Sequence, residues 1–114
     1  MLVNDTAQLL LEMLHKDLRG VYHVVGAQAM SKYQFGIEVA RMFGLGEDLI
    51  SPQSVEGSGL TAKRSHNLWL SVHKISTDLG HEIPAFSTGL AEFYTQFQQG
   101  YPQKIRSYQH LTAF

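Results

Sequence analysis

Two stretches decide how this chain is read: Leu2-Val3-Asn4-Asp5-Thr6-Ala7, and Gly20-Val21-Tyr22-His23-Val24-Val25-Gly26. The first reads as the end of a strand running into a helix, with Asp5 or Thr6 as the residue that accepts hydrogen bonds from free N–H groups of the first turn. The second is short, β-branched and aromatic, bounded by glycines, and reads as a mostly buried strand. Between them Ala7, Leu10, Leu11, Leu14 and Leu18 recur at helical spacing until Gly20 supplies a stop. Leu9 and Met13 widen that apolar surface beyond one stripe, so this helix is expected to pack on more than one partner.

Further along, Ser31 and Gln34 form a capping box ahead of Phe35, Val39, Met42 and Phe43, and Gly44 ends that helix. Ile50-Ser51-Pro52 starts an extended piece, because the residue before proline avoids the α region, and Glu56-Gly57-Ser58-Gly59 is a loop. Leu68-Trp69-Leu70 is read as a short extended segment. Ser71 is expected to cap a third helix carrying Val72, Ile75 and Leu79, and Ser87 a fourth carrying Leu90, Phe93, Tyr94 and Phe97. The expected fold is α+β: a small, mostly helical lobe of four helices with two or three short strands, residues 21–25 pairing in parallel with 50–55. Residues 1–102 form the domain, and 103–114 a tail without clear period, read as disordered or foreign to the fold.

Composition narrows the function classes. A 114-residue chain with 44% hydrophobic and 17% charged residues suits one small domain. Nine Lys and Arg against ten Asp and Glu give a net charge of −1, so nothing attracts nucleic acid or anionic lipid in bulk. The absence of cysteine excludes disulfides, thiolate metal sites and cysteine nucleophiles, and accords with a reducing, cytoplasmic setting. No apolar run approaches the roughly 18 residues that span a bilayer. The six histidines, His15, His23, His66, His73, His81 and His110, show no H-x-x-x-H or H-E-x-x-H spacing, so no metal is expected. No G-x-S-x-G elbow is present to support a hydrolase triad.

The order strand-end, helix, Gly-Val-Tyr-His-Val-Val-Gly, Ser31-Lys32-Tyr33-Gln34-Phe35 resembles the carboxy-terminal, substrate-binding part of extended short-chain dehydrogenases of the NAD-dependent epimerase type, most closely the dTDP-4-dehydrorhamnose reductase branch. The resemblance covers roughly residues 2–97. Thr61-Ala62-Lys63-Arg64-Ser65-His66-Asn67-Leu68-Trp69-Leu70-Ser71-Val72-His73-Lys74 is similar to the family segment Ala-x-Arg-Pro-x-Asn-(Ser/Thr)-x-Leu-(Asp/Ser)-x-x-Lys, which lies along the nucleotide-sugar cleft. It implies substrate-binding roles for Arg64 and Asn67, with Lys63 beside them. A guanidinium suits a diphosphate through paired, charge-assisted hydrogen bonds, and an amide suits sugar or base. Ser65 stands where the family has proline. Read without the resemblance, Lys63 and Arg64 are solvated loop charges, Asn4-Asp5 a helix cap, Lys32, Tyr33 and Phe35 structural anchors, and Trp69 a packing residue rather than a stacking platform.

The resemblance also marks what this stretch lacks. No G-x-G-x-x-G or G-x-x-G-x-x-G turn is present to hold a cofactor pyrophosphate. Four positions after Tyr22, Tyr33, Tyr94, Tyr101 and Tyr108 stand Gly26, Ile37, Gln98, Ile105 and Thr112, so no tyrosine has the lysine of the family's acid–base pair. The expectation is a lobe separated from its Rossmann half: no catalytic residues and no cofactor in this chain, NAD(P)H bound by the parent, a nucleotide sugar of the dTDP type as ligand, and self-association through the helix over 6–18. The alternative is a non-catalytic interaction module of the same descent, as in the methionine adenosyltransferase regulatory subunit.

Overall fold

In the computed structural model, which describes residues 1–57, 59, 61, 62 and 65–108, the regular elements are helical. They are α1 (Val3–His15), α2 (Lys32–Phe43), a 3-10 turn at Glu47–Leu49, α3 (His73–Leu79), α4 (Phe86–Gln98) and α5 (Tyr101–Tyr108). No strand occurs among the described residues, which corrects the α+β expectation. Residues 21–25 do alternate as a strand would, with Val21 and His23 exposed and Tyr22 and Val24 turned toward the core. A strand is a ladder of backbone hydrogen bonds, however, and side-chain alternation supplies no second strand. Ile50 folds back over Gly36 of α2, and the stretch after it closes locally, Gln53 Nε2 donating to the Gly57 carbonyl at 3.0 Å. Side chains hold residues 21–25 instead: Lys74 Nζ donates to the Val21 carbonyl at 2.9 Å and lies 3.7 Å over the Tyr22 ring, while Tyr22 Oη donates to Asp78 at 2.7 Å.

Two apolar centres form. Leu9 of α1, Ile75 and Leu79 of α3 and Ile83 are buried together, with Met13, Leu18, Tyr22, Val24 and Val72 packed around them. Ile37 and Ala40 of α2 and Leu90 of α4 are buried in the second, where Phe43 takes Phe93, Tyr94 and Phe97 at ring-centroid distances of 5.0–5.8 Å. The first turn of α1 joins them. At Gly89 of α4 a Cβ would lie 3.4 Å from Asp5 Oδ2 and 3.5 Å from the Leu2 amide nitrogen, so the helices meet at a residue without a side chain. Asp5 Oδ2 is buried there with no hydrogen-bond partner among the described residues.

Helix boundaries show which local signals acted. The Ser31–Gln34 capping box is complete, Gln34 N–H donating to Ser31 Oγ at 3.1 Å and Ser31 N–H to Gln34 Oε1 at 2.9 Å, and Gly44 ends α2 at φ 65°. α1 begins two to three residues before the expected cap: Leu2 is its N-cap without a side-chain hydrogen bond, and Asp5 sits inside the first turn, where a carboxylate meets the positive end of the helix dipole. Nor does α1 run to Gly20. Asp17 takes the left-handed conformation at φ 52°, its N–H bonding Leu14 O and that of Leu18 bonding Met13 O, a Schellman stop with Leu18 and Met13 meeting in the core. α3 follows the Ser71 hydroxyl, which accepts from the His73 amide at 3.3 Å. Ser87 lies within the first turn of α4, whose N-cap is Ala85. Pro102 fits the first turn of α5, where a missing N–H costs no helical bond. No helix among the described residues is long and apolar enough to cross a membrane.

α1 is clasped to α3 and the loop after it by polar contacts. Lys16 Nζ donates to the Leu79 carbonyl at 2.7 Å, and His81 Nε2 lies 2.7 Å from Glu12 Oε2 with Nδ1 3.0 Å from the Glu82 carbonyl. The Glu82 carbonyl and the Glu12 carboxylate raise the His81 pKa, and the His81 hydrogen bond, helped by Gln8, lowers that of Glu12. The raised His81 contributes stability below its ordinary value that is lost as pH rises through its folded pKa; the lowered Glu12 contributes stability above its ordinary value that is lost as pH falls. The melting temperature of wild type should therefore exceed that of His81→Ala most between about pH 4.5 and 6.5, with the gap closing on either side; thermal melts across pH check this. At the joint, Gly89→Ala should be neutral or stabilising by up to about 1 kcal/mol, the helix-propensity gain, whereas Gly89→Leu should destabilise by about 1–3 kcal/mol through overpacking. Urea unfolding of the two variants measures both.

Candidate functional site

An open cleft of about 530 Å³ lies between the two apolar centres, within the 300–1,000 Å³ of small-molecule sites. One wall is the loop that leaves residues 21–25 and enters α2, with Val25, Gln28 and Met30; another is Phe35 with Phe86, their centroids 5.4 Å apart at 58°. The third is the segment 66–70 leading to α3. The first two walls are fixed by structure already described: the Lys74 and Tyr22–Asp78 contacts hold the chain just before Val25, the capping box sets the entry into α2, and α4 carries Phe86 on its first residue. The hydrogen bond to Asp78 keeps the Tyr22 phenol above its usual pKa, so it stays a donor through the physiological range.

Of the three residues singled out from sequence, Asn67 lines this cleft. Its Oδ1 accepts the Trp69 backbone N–H at 2.9 Å, and Ser65 Oγ donates to its carbonyl at 2.9 Å, so the segment is tied to itself over five residues. Lys63 and Arg64 lie outside the described residues. Trp69 is not the packing residue expected: it is 59% exposed, with its neighbours Leu68 and Leu70 exposed as well, and it lines the same cleft. Asn4 and Asp5 lie away from it in α1; Asn4 Nδ2 reaches Tyr101 Oη at 3.4 Å. Lys32 and Tyr33 stand exposed on the first turn of α2.

Sequence reasoning missed Met30 and Phe86, and took Phe35 only as an anchor. A signal for two of these was present. Met30 and Phe35 flank the Ser31 cap at the N′ and N4 positions, where apolar residues staple a chain entering a helix, and a stapled pair at a loop-to-helix entry also presents a rigid apolar wall. His66 Nε2 lies 3.6 Å from Glu56 Oε1 at the rim, both side chains exposed. Among the described residues no group of three or more His, Asp or Glu is placed to hold a metal ion.

The cleft thus has one aromatic wall and one amide-bearing loop. The family model for the RmlD substrate binding domain matches residues 2–99, and the chain belongs to that family. The family is that of sugar-nucleotide reductase-like proteins. No curated protein and no solved structure gives a significant match.

Proposed function

We propose that this domain is the nucleotide-sugar-binding lobe of a dTDP-4-dehydrorhamnose reductase-like, NAD(P)-dependent oxidoreductase, inactive alone. The observation that carries the reading is the cleft, which gathers Asn67 and the segment 66–70 against the α2 entry within a chain of the RmlD substrate-binding family. Arg64 and Lys63 precede this segment and supply the positive charge for the diphosphate; Asn67 supplies a neutral amide. A Rossmann half supplies the glycine-rich turn for NAD(P)H and the tyrosine–lysine pair that exchanges a proton with the sugar oxygen, neither of which this chain carries.

The uncovered side of α1 favours a second reading, a non-catalytic interaction module of the same descent. Val3, Leu10, Leu11 and Leu14 lie 51–74% exposed along one face while Leu9 is buried on the other. In the chain on its own a second copy covers that face, at about 25 cal/mol per Å² of apolar area removed from water.

Three outcomes test these readings. The chain alone should neither reduce a 4-keto sugar nucleotide nor bind NADPH; saturable, micromolar binding in a nicotinamide-fluorescence titration would place a cofactor site here and sink the division of labour. In the enzyme that joins this lobe to its cofactor-binding half, Arg64→Ala should weaken thymidine diphosphate binding by about 1.5–3 kcal/mol, the worth of a charge-assisted hydrogen bond, and leave NADPH affinity unchanged, as calorimetry with each ligand will read. Light scattering at tens of micromolar should show an oligomer that Leu10→Glu or Leu11→Glu dissociates; a monomeric wild type counts against the α1 interface.

A further inference from the structure

The cleft has two kinds of surface, and Trp69 stands where they meet. Its apolar part is unusually rich in flat rings, with Phe35 and Phe86 on one wall and the indole on another. Its polar side chains are Gln28, Ser31, His66 and Asn67; none of the described lining side chains is that of Asp, Glu, Lys or Arg, and Met1 with its α-amino group completes the lining. A pyranose bearing several hydroxyls draws on many hydrogen-bonding partners, and a diphosphate on cationic side chains. A planar heterocycle needs neither, having two π faces to stack and a few edge groups to pair.

The loop geometry prepares such a contact. A backbone N–H can only donate, so the bond from Trp69 N–H identifies the Asn67 atom that accepts it as Oδ1 and leaves Nδ2, with two donors, as the end available to a ligand. The same bond fixes the Trp69 backbone relative to the amide. Stacking surface and edge donor therefore belong to one hydrogen-bonded turn.

We infer that the indole of Trp69 stacks on the base of the nucleotide and that Asn67 Nδ2 donates to a carbonyl on the base edge, which makes 66–70 the base compartment of the cleft. This deepens the nucleotide-sugar reading and rests on it. Trp69 is the chain's sole tryptophan, so its emission reports this compartment alone.

The test titrates the 114-residue chain with thymidine monophosphate, thymidine diphosphate, ribose 5-phosphate and pyrophosphate, following tryptophan emission and, separately, heat. Both thymidine nucleotides should quench emission saturably, and neither ribose 5-phosphate nor pyrophosphate should. Trp69→Ala should weaken thymidine diphosphate binding about tenfold or more, and Trp69→Phe should stay within about threefold of wild type, because a ring of any kind preserves a stacking face. Calorimetric binding that leaves emission and the alanine variant unaffected overturns the base assignment while the nucleotide-sugar reading stands. Saturable quenching by ribose 5-phosphate would put the indole against a sugar and also overturn it. Absence of any nucleotide binding removes both.

Discussion

The fold depends on the approach of the first turn of α1 to α4 at Gly89. Every buried hydrophobic side chain among the described residues belongs to one of two modest apolar centres, and this contact is where they touch. A Cβ at Gly89 would stand in van der Waals contact with Leu2 and Asp5, so the approach leaves room for a methyl group and little more. The approach also buries a carboxylate oxygen that finds no donor among the described residues, a cost the surrounding contacts must outweigh. Met1 and Leu2 line a smaller apolar hollow with Val39, Leu90 and Phe93, so the start of the chain is part of the second centre while the rest of α1 belongs to the first.

Where the sequence could be read correctly, the signal was complete within a few residues. α2 is the example: its start is a reciprocal pair of hydrogen bonds encoded by Ser31 and Gln34, and its end a glycine in the left-handed region. Where the outcome depended on something distant, the reading failed. Residues 21–25 have the alternation of a strand, but a ladder requires a neighbour, and Lys74 and Asp78 from α3 took the place of one. Gly20 resembles a helix stop, yet Asp17 reaches the left-handed conformation first because Leu18 gains a core contact with Met13 by turning there. Ser87 resembles a cap, but helix α4 opens with Phe86, whose ring packs against Phe35.

The candidate site was legible as chemistry and less so as geometry. The run from Thr61 to Lys74 singles out Asn67, which lines the cleft on a short segment with its own internal hydrogen bonds. Trp69 was misjudged because a tryptophan between two leucines looks like core, and only the fold shows that all three lie outside it. The aromatic wall came from residues 51 positions apart, Phe35 and Phe86, which no local pattern connects.

The division into two centres has a thermodynamic meaning. Units that share few contacts open with separate free energies, so hydrogen exchange in α1 and α3 need not track that in α2 and α4. The walls of the cleft are drawn from both: the segment 66–70 leads into α3, while Phe35 and Phe86 stand on α2 and α4. A ligand held between them is a third contact across the divide, stabilising both units at once. Occupancy of the cleft would then couple the opening of the two centres, so that a ligand adds cooperativity as well as stability.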